Sequence, residues 1–234
     1  VQGARSLGTP VYIALGDSLA ANVGVDDSEL GYVSRFHTLL EERDGIEYGL
    51  VNLGVSGETS GTLLNGGQLA EAERIAGERD VAFVTIDIGA NDLLGHLGSP
   101  TCSADFQDPD CQVRLEASLA AYERNIGEIF DRLTAAFPDA TVVYLSAYNP
   151  FSFGYGELVT FETESNATLQ RLNTIATLAA IERGFLAADG FSPMQGTVGT
   201  TTHMRDVEPD IHPTALGYDV LTGALWDALA AAEG

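Results

Sequence analysis

The sequence has no lysine, and its 11 basic residues are all arginines, against 34 aspartates and glutamates. The formal net charge is therefore -23 at pH 7. A chain this acidic repels phosphate backbones and the anionic headgroups of membranes. The composition thus argues against nucleic-acid binding and against electrostatic attachment to a membrane surface.

Long apolar runs are also missing. No stretch reaches the roughly 18 consecutive apolar residues typical of a membrane-spanning helix, so we expect no stable membrane insertion. The first residues, from Val1, show neither the basic segment nor the apolar stretch of a secretion signal. The chain is compatible with a mature form whose leader has been removed. Its 234 residues fit a single domain, residues 1–234, that can bury a sizeable core.

Cysteine is scarce as well. Cys102 and Cys111 are the two cysteines, and the polar segment between them holds Pro109 but no histidine. Because that segment lacks further ligands at metal-binding spacing, we predict no bound metal. We predict instead a local disulfide that pins a surface loop, with two free thiols as the alternative. A disulfide would place the protein in an oxidising compartment, outside the cell or in its envelope.

Short apolar runs alternate with longer amphipathic segments along the whole chain. Runs rich in Val, Ile and Leu predict buried strands, and apolar residues at helical spacing predict helices. The predicted strands are residues 11–16, 48–53, 81–88, 140–146 and 185–188, and the predicted helices are 31–43, 68–79, 113–137, 163–183 and 214–232. Such alternation is typical of βαβ units with right-handed crossovers. We therefore predict an α/β fold, a three-layer α/β/α sandwich around a parallel sheet.

The first predicted strand ends at a serine. The apolar run of residues 11–15 stops at Gly16, and Asp17 and Ser18 follow directly. Open α/β sheets bind their ligands at the carboxyl ends of the strands, which is where Ser18 would lie. Ser18 is therefore a candidate nucleophile. The alternative is that its hydroxyl caps the following helix and does nothing more.

Three later segments hold the groups that a nucleophilic serine needs, namely a base and donors for an oxyanion. Gly57 lies in a turn of small residues and can present a bare backbone N–H. Asn91, two residues after Gly89, can donate from its side-chain amide. His212 precedes Pro213 and the last predicted helix, and it is the candidate base. The alternatives are a plain turn glycine, an asparagine that stabilises its own turn and a structural histidine.

These motifs occur in the order of a known family. The quoted segments are GDSL at Gly16–Leu19, the turn with Gly57, GAND at Gly89–Asp92 and DIHP at Asp210–Pro213. From the first strand to the last helix, the chain resembles the SGNH (GDSL) hydrolases. The resemblance implies a flavodoxin-like sandwich with a five-stranded parallel sheet, and ester hydrolysis through an acyl-serine without a cofactor. It also implies that Ser18 is the nucleophile and His212 the general base. The oxyanion hole would be formed by the N–H groups of Ser18 and Gly57 and the Asn91 side chain.

The acidic partner of the base departs from that family's usual pattern. The pattern has an aspartate three residues before the histidine, where this chain has Pro209. We choose Asp210, two residues before His212, as the group that orients the imidazole and stabilises its charged form. Glu208, Asp206 and a backbone carbonyl are the alternatives.

The other histidines and two further aspartates receive lesser roles. We expect His37 on the exposed surface of its helix. His96 follows the GAND motif and could approach the site, and His203 could compete as the base. We expect Asp17 and Asp92 to be structural, by capping or by hydrogen-bonding the turns of the GDSL and GAND motifs.

The substrate is predicted only in outline. The segment from Tyr148 to Phe161 is irregular and aromatic, and it could line an acyl or alcohol pocket together with Phe191, Met194 and Met204. Alternatively it packs as a small core of its own. Because the acidity disfavours anionic substrates, we expect a small-molecule or lipid ester rather than an acetylated acidic polysaccharide. A carbohydrate acetylesterase and a catalytically idle binding module are the alternatives, and we expect a monomer.

Overall fold

The computed structural model describes residues 8–97, 99–156 and 159–234. Its strands are β1 (Val11–Gly16), β2 (Gly49–Asn52), β3 (Val81–Asp87), β4 (Thr141–Leu145) and β5 (Leu186–Ala188). They form one sheet in the order β2-β1-β3-β4-β5, and every neighbouring pair is parallel. Each strand lies within the range predicted from its apolar run.

Helices cover both faces of this sheet. They are α1 (Tyr32–Asp44), α2 (Ser60–Asn65), α3 (Gln68–Glu78), α4 (Ala90–Leu97), α5 (Pro100–Ala104), α6 (Pro109–Ala136), α7 (Thr160–Glu182), α8 (Val198–Thr201) and α9 (Ala215–Glu233). The apolar residues of α1 and α9 pack on one face, and those of α2, α3, α4, α6 and α7 pack on the other. The predicted α/β/α sandwich is confirmed, and the strand order is that of the flavodoxin-like fold. Within the described ranges, none of these helices is long and apolar enough to cross a membrane.

Strand β1 runs through the middle of the core, and all of its residues are buried. Ile13 and Leu15 belong to the cluster shared with α3 and α6, whereas Tyr12 and Ala14 belong to the cluster shared with α1 and α9. Successive strand side chains point to opposite faces. A strand covered on both faces therefore needs a continuous apolar run, which the first predicted strand has.

Several short helices were not predicted. The segment before α2 is rich in small residues, yet a capping box starts the helix: Thr59 Oγ1 accepts from Thr62 N at 3.2 Å, and Thr62 Oγ1 accepts from Thr59 N at 2.9 Å. Helix α4 begins at Ala90, immediately after Gly89. The GAND motif is therefore the start of a helix rather than a loop.

The predicted disulfide is present between Cys102 and Cys111. It spans the short segment of residues 105–108, part of which is exposed, as predicted. The cysteines themselves lie in helices, Cys102 in α5 and Cys111 in the first turn of α6, and both are fully buried. Prolines at the first turns of both helices account for this, since proline is well accommodated where a helix begins. The bridge thus ties two consecutive helices together.

The carboxyl edge of the sheet gathers the polar motifs. Gly16 at the end of β1 is paired in register with Asp87 at the end of β3. The segment before α9 reaches the same edge, where an isolated antiparallel bridge joins Thr202 to Pro213. Residues far apart in the sequence, including Ser18 and His212, therefore meet at this edge.

Candidate active site

Ser18 lies in the turns that follow β1, and it lines a cavity of about 220 Å³. Only 9% of the residue is exposed, and its hydroxyl donates to Asp17 Oδ1 at 3.5 Å, a long and weak hydrogen bond. The residues after Ser18 form turns, and α1 begins only at Tyr32 with Gly31 as its N-cap. The alternative that Ser18 caps the following helix is therefore wrong.

Gly57 faces the same cavity. Its φ of +81° lies in the left-handed region, which glycine adopts without strain. A Cβ at this position would meet nothing within 4 Å, so the backbone conformation rather than crowding favours glycine. Among the described residues, no acceptor takes the backbone N–H of Gly57 or of Ser18. Both groups are free to donate to a ligand in the cavity.

Asn91 lies in the first turn of α4, where Gly89 lets the chain turn sharply out of β3. Gly89 has a φ of +128°, and a Cβ there would come within 2.6 Å of the Tyr122 ring, so a side chain is excluded on two grounds. The Asn91 amide donates to Glu58 O at 2.8 Å and to Asp17 Oδ2 at 3.2 Å. It is held at the cavity wall beside Ser18 by these two bonds.

His212 completes the cavity from the segment before α9. Its Nδ1 lies 2.5 Å from Asp210 Oδ1, and the same oxygen accepts from His212 N at 3.1 Å. Partial burial raises the pKa of Asp210, but the hydrogen bonds from His212 together lower it by a larger amount, so the net shift is downward. Tyr148 steadies the segment by donating its hydroxyl to Ile211 O at 2.6 Å. The structure thus pairs His212 with Asp210.

The other proposed acids and histidines lie elsewhere. Asp206 binds His203 Nδ1 at 2.7 Å, and His203 Nε2 lies 2.8 Å from Gly24 O. The hydrogen bond to Asp206 raises the pKa of His203. Since both ring nitrogens face oxygen acceptors, His203 braces its loop and is poorly placed to act as a base. Glu208 is exposed and lines no part of the cavity.

His37 and His96 also bind away from the cavity. His37 was predicted on the helix surface, but its side chain is only 19% exposed and its Nε2 lies 2.8 Å from Tyr48 O, so that prediction is wrong. The chain after α1 folds back over this histidine. His96 Nε2 lies 2.7 Å from Ser118 Oγ on α6, so it does not approach Ser18.

The two motif aspartates are structural, as expected. Asp17 Oδ1 accepts from Leu19 N at 3.0 Å, which holds the turn after Ser18. Asp92 accepts from Ser60 N at 2.9 Å and from Ser60 Oγ at 2.5 Å, so it ties α4 to α2 rather than holding its own turn. Asn125 donates to the same Ser60 hydroxyl at 3.0 Å.

The aromatic segment and the further residues predicted to line the pocket with it differ in where they lie. Tyr148 and Pro150 line the cavity, with Leu94 of α4 opposite them. Phe191 and Met194 instead belong to the two core clusters, so they do not wall the site. Within the described ranges, no three His, Cys, Asp or Glu side chains are grouped closely enough to hold a metal ion.

Asp87 was not singled out by the sequence, yet it lies directly beneath the site. It is 3% exposed, its Oδ2 accepts from Asp17 N at 3.2 Å, and its Oδ1 accepts from the Tyr32 hydroxyl. Burial raises the pKa of Asp87 well above its usual value, and the neighbouring Asp17 charge adds to the shift. Burial also raises the pKa of Asp17, against the opposing hydrogen bond from Leu19 N. Asp17 accepts from Leu19 N and from the Asn91 amide, and these donors favour its charged form, so Asp87 is the member of the pair that keeps its proton.

Replacing Asp87 with asparagine is expected to change how stability depends on pH. Because the folded pKa of Asp87 is raised, its contribution is complete below the unfolded value and is lost as pH rises toward the folded value. From about pH 4 upward, the wild type should therefore lose stability relative to Asp87→Asn, by about 1.4 kcal/mol per pH unit. The asparagine oxygen can still accept from Asp17 N, and its amide can donate to the Tyr32 oxygen. Asp17, whose pKa is also raised by burial, is present in both proteins. The buried tyrosines nearby do not change protonation in this range: Tyr12, Tyr144, Tyr148 and Tyr218.

Urea unfolding of both proteins at pH values from about 4 to 6 would measure this difference. Asp80→Asn on the exposed surface serves as the control, since no comparable burial acts on it. A stability difference between wild type and Asp87→Asn that stays constant over this pH range would contradict the assignment.

The fold and the cavity together define a class of protein. It is a flavodoxin-like α/β sandwich whose strand ends bring a serine, a histidine–aspartate pair and amide donors to one cavity, an arrangement suited to acyl transfer. The chain belongs to the GDSL-like lipase/acylhydrolase family, whose model matches residues 14–220. The resemblance drawn from the motifs is thereby confirmed, and membership supports a carboxylic ester hydrolase.

Individual relatives extend this comparison. The uncharacterized protein YpmR of Bacillus subtilis (strain 168) is 26% identical over 220 residues, which cover 94% of this chain and 81% of that protein. The lipase Lip_vut3 from a goat rumen metagenome has the same fold, with a TM-score of 0.73 at 20% identity over 94% of this chain and 97% of that one.

Two further structures share the fold. An extracellular lipase from Streptomyces rimosus gives a TM-score of 0.65 at 24% identity, covering 92% of this chain and 100% of that one. A variant of Axe2, an acetyl-xylooligosaccharide esterase from Geobacillus stearothermophilus, gives 0.65 at 18% identity and covers 96% of each chain. At these identities the likeness establishes the fold alone, since lipases and a carbohydrate esterase share it.

Proposed function

We propose that this protein hydrolyses carboxylic esters through an acyl-serine intermediate formed on Ser18. The observation that carries the proposal is one cavity lined by Ser18, Gly57, Asn91 and His212, with Asp210 bound to the imidazole. A protein that only binds a ligand has no need of all these groups together. Membership of the GDSL-like family supports the same reaction.

His212 acts as the general base. Asp210 occupies Nδ1, which leaves Nε2 to take the proton of Ser18. The serine hydroxyl must turn about χ1 from its weak bond with Asp17, because catalytic hydrogen bonds often become well aligned only in the substrate complex. As Oγ attacks the acyl carbon, its proton moves to Nε2 and the carbonyl oxygen takes up the negative charge.

Collapse of the tetrahedral intermediate breaks the bond to the alcohol oxygen, which leaves with the proton from Nε2. A water molecule then attacks the acyl-serine and gives one proton to His212. Breakdown of the second intermediate releases the carboxylic acid and returns that proton to Ser18. Each proton taken by His212 is given back, so the enzyme is regenerated.

The oxyanion is stabilised by three donors at the cavity wall. The N–H groups of Ser18 and Gly57 have no acceptor among the described residues. Asn91 already donates to Glu58 and Asp17, and the bond to Asp17 is the longer one, at 3.2 Å. We infer that the amide exchanges this longer bond for the oxyanion. The negative charge then lies near the first turn of α4, where the helix dipole favours it.

The apolar wall of the cavity favours simple acyl or lipid esters. Leu94, Tyr148, Pro150 and Ile211 form much of the lining, and the chain carries a net charge of -23. Neutral substrates with hydrocarbon groups suit such a site better than anionic ones. A carbohydrate acetylesterase is the second candidate, favoured by the fold shared with Axe2.

Hydrolysis of p-nitrophenyl esters, from acetate to dodecanoate, tests the proposal. We expect turnover of at least one ester, and we expect a fluorophosphonate probe to add its mass to the peptide that contains Ser18. Turnover with the label on a different residue would refute the acyl-serine. An absence of turnover on every ester would refute the esterase itself.

The choice of acid is tested by two variants of matched chemistry. Asp210→Asn is expected to lower kcat by about 100-fold, because the neutral amide no longer holds the imidazole tautomer or stabilises its charge. Glu208→Gln removes a neighbouring carboxylate that is exposed and should leave kcat near the wild-type value. Equal losses in the two variants would contradict the role of Asp210.

We also propose that the protein acts as a single-domain monomer outside the cell or in the cell envelope. The Cys102–Cys111 disulfide and the shared fold with an extracellular lipase support this location. Mass spectrometry of protein recovered from its native source, alkylated without reduction, would reveal whether the two thiols are bonded there.

A further inference from the structure

A second, smaller apolar cavity adjoins the Ser18 cavity. Its volume is about 50 Å³, and four of its lining residues, Ala90, Leu94, Tyr148 and Pro150, also line the Ser18 cavity. The two cavities therefore share a wall, formed by the first turns of α4 and the segment that follows β4. Beyond this shared boundary the smaller cavity extends toward α7.

Two polar side chains that line the smaller cavity, Asn149 and Ser165, already have hydrogen-bond partners. Asn149 donates to Ser165 Oγ and to Asn166 Oδ1, both at 2.8 Å, and its oxygen accepts from Phe151 N at 3.0 Å. Ser165 in turn donates to Glu162 O at 3.1 Å. Since these groups already have partners, they offer little to a sugar hydroxyl. A hydrocarbon loses nothing by entering such a space.

The far wall comes from the segment closed by the disulfide. Phe106 lies between Cys102 and Cys111, is 6% exposed and lines the smaller cavity. Its ring packs edge-to-face on Phe161 with a centroid distance of 5.5 Å. Gln112 Nε2 donates to Phe106 O at 2.6 Å. The bridge, the ring contact and this hydrogen bond fix where the aromatic wall stands.

We propose that the smaller cavity is the acyl subsite, that it takes the hydrocarbon tail of a short unbranched acyl chain, and that Phe106 sets the chain length. The inference rests on the proposed ester hydrolysis at Ser18. The acyl carbon bonds to Ser18, and the chain passes Leu94 and Pro150 into the smaller cavity. A volume of about 50 Å³ holds a few carbon atoms rather than a long fatty chain.

Chain-length profiles test the subsite. For the wild type, we expect kcat/KM to be higher for p-nitrophenyl butyrate or hexanoate than for acetate, and to fall again for dodecanoate. Phe106→Ala lengthens the cavity, so the optimum should move to octanoate or beyond. Phe106→Trp fills it, so the ratio of hexanoate to acetate kcat/KM should fall by about tenfold. Acetate is too short to reach Phe106, so its kcat/KM should change much less than that of hexanoate in both variants.

Gln107→Ala is the matched control, because it is the exposed neighbour of Phe106 in the same segment. Circular dichroism checks that each variant is folded, and Phe106→Ala alone suffices if the tryptophan variant does not fold. If wild type and Phe106→Ala hydrolyse esters with the same chain-length profile, the proposed subsite is overturned while the proposed esterase activity stands. Proportional changes for acetate and hexanoate would overturn it as well. If the wild type cleaves no ester, the proposed function itself fails first.

Freeing the segment provides a second measurement. In a Cys102→Ala/Cys111→Ala variant, Phe106 keeps its ring but loses the covalent constraint, so we expect a broader chain-length profile with acetate hydrolysis unchanged. A profile as sharp as that of the wild type would show that the bridge does not position Phe106.

Discussion

A Ser18→Ala variant is expected to hydrolyse p-nitrophenyl butyrate about 10⁴- to 10⁶-fold more slowly than the wild type. Without the hydroxyl there is no atom in the cavity to form the acyl intermediate. The remaining rate would come from substrate binding and from the oxyanion donors, which are the backbone N–H groups of residue 18 and Gly57 and the Asn91 amide. The fall should appear in kcat, with the thermal unfolding midpoint close to that of the wild type.

The same prediction has a second part, because the proposed mechanism requires Ser18 and His212 to act together. His212→Ala alone should cost nearly as much as Ser18→Ala, and the double variant should be no slower than either single one. Ser192→Ala, at the exposed start of a short 3₁₀ helix outside the cavity, is the control and should keep its activity. Losses that multiply in the double variant would mean that the two residues work independently.

Asn91→Ala is expected to lower kcat by about 10²- to 10³-fold with little change in KM. The reason is that the amide strengthens its contact only when the carbonyl oxygen becomes an oxyanion, so the loss falls on the transition state. Steady-state kinetics on p-nitrophenyl butyrate would separate the two constants.

A structural consequence of this variant must be measured beside the kinetic one. Asn91 also donates to Glu58 O and Asp17 Oδ2, so its removal leaves two acceptors without a partner. Urea unfolding reports that loss, and Asn65→Ala, which removes an exposed hydrogen bond from the side-chain amide to Gly61 O, is the control. A raised KM with kcat unchanged would place Asn91 in substrate binding rather than in the oxyanion hole.

The sheet and the positions of the site segments were predictable because both depend on local sequence. Strands buried on both faces require continuous apolar runs, and glycines such as Gly16 and Gly57 mark where the chain must turn. In a parallel sheet with helical crossovers, consecutive strands end at the same edge. Ser18, Gly57 and Asn91 follow three such ends, so their meeting could be expected before any distance was known.

What the sequence did not reveal depends on contacts between distant segments. Asp87 is visible as a lone carboxylate in an apolar strand, but its neighbours, Asp17 and Tyr32, are set by strand register and by the packing of α1. His37 follows a helical pattern that locates the apolar face of α1 but not the chain that returns over it. The acid partner of His212 was likewise open, because several carboxylates precede it and only the loop conformation selects Asp210.

The loop of residues 203–213 has a consequence for how such sites can be altered. His212 and Asp210 are two positions apart, and the loop is closed by hydrogen bonds from His203 N to His212 O and from Asp210 N to His203 O. Bringing such close neighbours together costs little chain entropy, whereas Ser18 must arrive from the other end of the chain. The proposed base and its acid partner therefore lie within one short segment. Exchanging this loop between related chains would move both together, while the proposed nucleophile stays with the receiving sheet.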